Sequence, residues 1–128
     1  MTKHSIDFSY FLESLETFES LLHAETQAIA AKHLDTIEEI IDRKDEGLRL
    51  LLHSKGKLGN HGEEASMANE MVEQVLDLQE KNAESFRRLF DRQFKLNRGE
   101  DTEEKPREKK MRRAYLKSSQ ENLPRFDS

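Results

Sequence analysis

The sequence predicts an all-α chain, an antiparallel two-helix hairpin (long coiled coil) followed by a short third helix or a disordered carboxyl-terminal tail. Three observations predict it. Hydrophobic residues make up 34% of the 128 positions and charged ones 37%, so the apolar side chains must be gathered on a narrow seam to hold any fold together. Apolar residues recur at alternating steps of three and four through most of the first 97 positions, the period of a helix face. Only two prolines, Pro106 and Pro124, and five glycines occur, too few turn formers for a domain of short strands.

The first seam runs through Phe8, Phe11, Leu15, Phe18, Leu22 and Ile29, with Glu25 in the intervening slot. It continues through His33, Ile37, Ile40, Lys44, Leu48, Leu51 and Lys55, where steps of four, four and three approach an 11-residue repeat and relax the supercoil. This predicts one helix from Ile6 to Ser54, roughly 75 Å long at about 1.5 Å per residue. Ser5 is placed to cap its amino terminus.

Gly56, Gly59, Asn60 and Gly62 form the strongest breaker before residue 97 and should be the tip of the hairpin. A second seam follows through Ala68, Met71, Val75, Leu78, Asn82, Phe86, Leu89 and Gln93, predicting a helix from Glu63 to Leu96, roughly 50 Å long. The arms are unequal. The first third of the long helix is therefore left exposed, packed on the tail, or covered by another molecule.

Charge divides the chain into a hairpin of residues 1–97 and a tail of residues 98–128. The net charge of the whole is −5, yet the segment Lys105 to Lys117 collects basic residues against the single acid Glu108. Pro106 suits the first turn of a short helix carrying Met111, Tyr115 and Leu116. Such a helix is marginal alone in water, so the tail is expected to be disordered or loosely docked until something binds.

Function classes fall away in turn. The absence of cysteine excludes a disulfide scaffold and thiolate chemistry. No apolar run is long enough for a membrane span, and the amino terminus shows no secretory h-region, so a cytoplasmic protein is expected. The residues three before His23, His33 and His53 are Ser20, Ala30 and Leu50, so the Glu-x-x-His motif of a di-iron bundle is missing. HExxH, P-loop and GxGxxG motifs are also missing, and no enzymatic activity, cofactor or metal is expected. Acid clusters such as Glu38, Glu39 and Asp42, or Glu63 and Glu64, read as a solvated helix face. The basic run Lys109, Lys110, Arg112, Arg113 could meet phosphates, but it is short and belongs to an acidic chain, so no nucleic-acid partner is expected. Membrane-surface binding has only three apolar anchors there.

Candidate binding residues are aromatic. Phe86, Phe90 and Phe94 recur every four residues beside Leu89 and drift across the seam. Core packing accounts for them; alternatively, Phe90 and Phe94 emerge as a partner patch. Phe8, Phe11 and Phe18 pose the same question, and both sets are expected at the open end of the hairpin. The polar seam residues Glu25, His33, Lys44 and Asn82 read as choosers of register.

The pattern Leu21-Leu22-x-x-Glu25, then Leu34-x-x-Ile37 with Lys44 and Leu48, resembles the flagellar export chaperone family FlgN. Val75-x-x-Leu78-Gln79-x-x-Asn82 is similar to that family's second segment, and the likeness covers roughly residues 8 to 96. The resemblance implies a cytosolic chaperone that keeps hook-associated (junction) proteins unassembled and delivers them to the type III export apparatus. It also implies that the carboxyl-terminal part binds the client and that a tyrosine there, Tyr115 in this tail, contacts the export gate. Phe86, Phe90, Phe94, Met111, Tyr115 and Leu116 are accordingly the expected partner-binding residues, forming an apolar surface for a client's helix. The competing readings are a coiled-coil adaptor that self-associates, as a homodimer for example, through the unmatched first third, and a basic-tail nucleic-acid binder.

Overall fold

Helix begins where the seam begins. The computed structural model describes residues 5–98 and 106–115, with side chains of the third helix described as far as Arg92. It contains α1 (Ile6–Ala31), α2 (Leu34–Gly56), α3 (Glu63–Arg98) and α4 (Pro106–Tyr115), with no strand among the described residues. No helix among them is long and apolar enough to cross a membrane. Ser5 caps α1 as expected: its hydroxyl accepts from the Phe8 amide at 3.0 Å. The Ser5 amide and hydroxyl also donate to the Glu64 carboxylate at 3.0 and 2.7 Å, tying the start of α1 to the start of α3.

The single helix expected from Ile6 to Ser54 is in fact two. Lys32 adopts a left-handed conformation, φ 60° and ψ 34°. Its amide donates to the Ile29 carbonyl at 3.1 Å and the His33 amide to Ala28 at 2.9 Å, the paired bonds of a Schellman ending. The change of step between Ile29 and Ile37 marks this reversal rather than a relaxed supercoil. A left-handed lysine costs about 1–2 kcal/mol. Reversal brings Phe8, Phe11, Leu15, Phe18 and Leu22 into one cluster with Leu51 of α2 and Ala68, Val72 and Val75 of α3. At roughly 1.5–3 kcal/mol for each large apolar side chain buried, that cluster outweighs the strained turn.

Among the described residues, three helices and a short fourth thus stand in place of the two-helix hairpin. Helix α1 packs on both α2 and α3. It runs antiparallel to α2 and parallel to α3, since Ser5 meets Glu64 at one end and Leu22 meets Asn82 further along. Gly47, buried in α2, allows its close approach to α1: a Cβ there would lie 3.3 Å from Leu21 Cδ1 and Phe18 Cδ1. Gly59 and Gly62, at φ 74° and 101°, turn the chain from α2 into α3.

The two sets of phenylalanines do not share one end. Phe8, Phe11 and Phe18 lie in the cluster beside the α2–α3 loop. Phe86 and Phe90 belong to a second cluster at the opposite end, with Ala28 and Ile29 of α1, Ile37, Ile40 and Ile41 of α2, and Met111 and Tyr115 of α4. The expected unmatched first third of a long helix does not exist, because the turn at Lys32 places that stretch on α3.

Candidate partner groove

Helix α4 has ten residues and sits against both α2 and α3. Pro106 opens it, as the sequence suggested. Arg107 pairs with Asp35 and, at 2.6 Å, with Glu38; Lys110 pairs with Asp42 at 3.0 Å. These contacts set α4 parallel to α2. Asp35, Glu38 and Asp42 stand at i, i+3 and i+7, so they form one acidic stripe on α2. Against α3, Arg112 lies over the Phe90 ring at 6.0 Å, and Tyr115 stacks on Phe86 with centroids 4.1 Å apart.

At its inner end α4 meets a buried polar cluster. Glu25 is fully buried, and its carboxylate accepts from three sides. Lys44 Nζ lies 2.8 Å from Oε2, Asn82 Nδ2 donates to Oε1 at 3.0 Å, and the Tyr115 hydroxyl donates to Oε2. Asn82 Nδ2 also donates to the Leu22 carbonyl at 2.9 Å, and the Thr26 hydroxyl lies 2.8 Å from Asn82 Oδ1. The Lys44 ammonium stands 5.1 Å from the Tyr115 ring centroid, adding a cation–π contact. Burial, then the Glu25 charge and hydrogen bond, push the Tyr115 phenol far above its ordinary value. It stays a protonated donor. Arg87 closes the end of α4 by donating to the Tyr115 carbonyl at 3.2 Å, while its other nitrogen donates to Glu80 at 3.1 Å.

Four of the six expected partner residues therefore meet. Phe86, Phe90, Met111 and Tyr115 share one cluster, at 0, 6, 0 and 1% exposure. They form no open patch in this state: α4 covers the surface that Phe86 and Phe90 would present. The Phe94 side chain and Leu116 lie outside the described residues.

Sequence reasoning placed Glu25, Lys44 and Asn82 on the seam but not around Tyr115. His33 is exposed in the turn, not on a seam. Of the stripe Asp35, Glu38, Asp42, the last two were read as a solvated face and Asp35 was not singled out. Its signal was available, since cations at Arg107 and Lys110 repeat the same three-residue step. Two cations of the basic run, Lys110 on Asp42 and Arg112 over Phe90, are thus engaged within the chain. Among the described residues no group of three His, Asp or Glu side chains is placed to hold a metal ion.

No family model matches this chain, and searches of curated proteins and of solved structures likewise give no match.

Proposed function

We propose that the chain is a cytoplasmic binding protein of the flagellar export chaperone type, which holds hook-associated proteins unassembled and passes them to the type III export apparatus. One observation carries this reading: a groove between α2 and α3, lined by Ile37, Ile40, Phe86 and Phe90, already receives a short amphipathic helix. A client helix would use the same apolar floor and acidic wall. The leucine and polar pattern shared with FlgN supports the flagellar assignment. Tyr115 is buried at 1% exposure, so a gate contact through it requires α4 to leave the groove first. Loading of a client and exposure of Tyr115 would then be one event.

The test is co-expression of the full chain with hook-associated proteins from the same genome. A 1:1 complex on size-exclusion chromatography, weakened by Phe86→Asp, is the expected result. Absence of a complex with every hook-associated protein overturns the flagellar assignment.

A further inference from the structure

Helix α4 reads as a ligand as much as a part of the fold. It is too short to be stable alone in water. Its buried side chains are Glu108, Met111 and Tyr115, and its ion pairs to α2 are partly solvated, with Arg107 and Lys110 side chains 40 and 37% exposed. Pairs of that kind steer and select more than they hold. By contrast, the groove without α4 would consist of Ile37, Ile40, Phe86 and Phe90 beside the acidic stripe and the Glu25–Lys44–Asn82 cluster.

We propose that α4 is a displaceable stand-in for the groove's ligand, and that this ligand is a basic amphipathic helix. Its required pattern is the one α4 carries: two cations three residues apart, an apolar residue directly after the second, and an aromatic hydroxyl four residues further on. The cations answer Asp35, Glu38 and Asp42; the apolar residue enters the isoleucine and phenylalanine floor; the hydroxyl completes the Glu25 carboxylate. An acidic or neutral helix leaves the stripe unanswered and is rejected. This inference rests on the helix-in-groove reading above and not on the flagellar assignment.

The experiment uses the full chain and a labelled synthetic peptide of residues 104–118. In one protein variant, Arg107→Glu with Lys110→Glu repels α4 from α2 while leaving the groove's own residues untouched; circular dichroism checks that α1 to α3 remain helical. A tethered α4 competes at an effective concentration on the order of 1 mM, so a peptide that binds the open groove at about 10 μM is weakened roughly 100-fold by the unaltered α4 and roughly tenfold by the reversed one, and the variant should bind it about tenfold more tightly than the unaltered chain. The same two reversals placed in the peptide should lower its affinity for the variant at least about tenfold, and that difference should shrink at high salt. Equal binding to both proteins, or indifference to the peptide's charges, overturns the proposal. So does a concentration-dependent dimer in which α4 cross-links to a second copy, since the groove's ligand would then be another molecule of this chain. Peptide binding without any hook-associated complex removes only the flagellar assignment, whereas a hook-associated complex formed with no charge-selective peptide binding removes only this inference.

Discussion

Replacing Tyr115 by phenylalanine removes one oxygen from the place where α4, α1 and α2 meet. The lost bond is charge-assisted, from a buried phenol to the buried Glu25 carboxylate, and such bonds contribute about 1.5–3 kcal/mol. Glu25 is not orphaned by the change, because Lys44 at 2.8 Å and Asn82 at 3.0 Å remain. The ring keeps its stacking on Phe86 at 4.1 Å. The loss should therefore fall on the docking of α4 rather than on the whole fold, at about 2 kcal/mol, or roughly a 30-fold change in its docking equilibrium. Native-state amide hydrogen exchange reads this directly: protection across the hydrogen-bonded turns of α4 should drop by that factor while α1 and the core of α2 hold theirs. Protection of α4 within twofold of the unaltered chain would refute the idea that the hydroxyl holds the helix in place. Equal losses in α1 and α4 would refute the claim that docking is separable from the fold.

Three further outcomes follow from the same geometry. The folded Tyr115 phenol is raised far above its unfolded value near pH 10, so its protonated form contributes stability fully below that pH. Stability should fall as pH rises from about 10, by up to about 1.4 kcal/mol per unit for this one group, and Tyr115→Phe should flatten the fall in denaturant titrations at several pH values. Lys32→Gly should stabilise the chain by about 1 kcal/mol, seen as a raised thermal midpoint, because glycine adopts the φ of 60° without Cβ strain; an unchanged or lowered midpoint argues against the left-handed turn. Glu25→Ala strips the carboxylate from Lys44, Asn82 and Tyr115 together and should destabilise the fold by about 3–5 kcal/mol in urea titrations, with Lys44→Met introduced beside it recovering part of the loss.

The elements were largely readable in order. Ser5 as a cap, the glycine cluster as a turn, and Pro106 opening a short helix with Met111 and Tyr115 inward all appear where local chemistry puts them. The turn at Lys32 was not readable in the same way. Neither glycine nor proline marks it, and the ending is carried by a lysine held left-handed. Missing that turn moved Phe8, Phe11 and Phe18 to the wrong end of the molecule. The binding residues show the same division, since Phe86, Phe90, Met111 and Tyr115 were picked out by helical spacing, whereas their mutual burial depends on contacts between α3 and α4 such as the stack of Tyr115 on Phe86.

By itself, then, the sequence determined helix: its apolar period, its scarcity of turn formers and its caps act within a few residues and need no partner to be expressed. It also determined that the core would be small and striped. Tertiary structure decided where the chain reverses, because a left-handed Lys32 is unfavourable locally and becomes favourable only when five large side chains of α1 find α2 and α3. It decided, too, that Glu25, Lys44, Asn82 and Tyr115 converge, since a buried carboxylate is tolerated only where several donors from separate helices reach it at once.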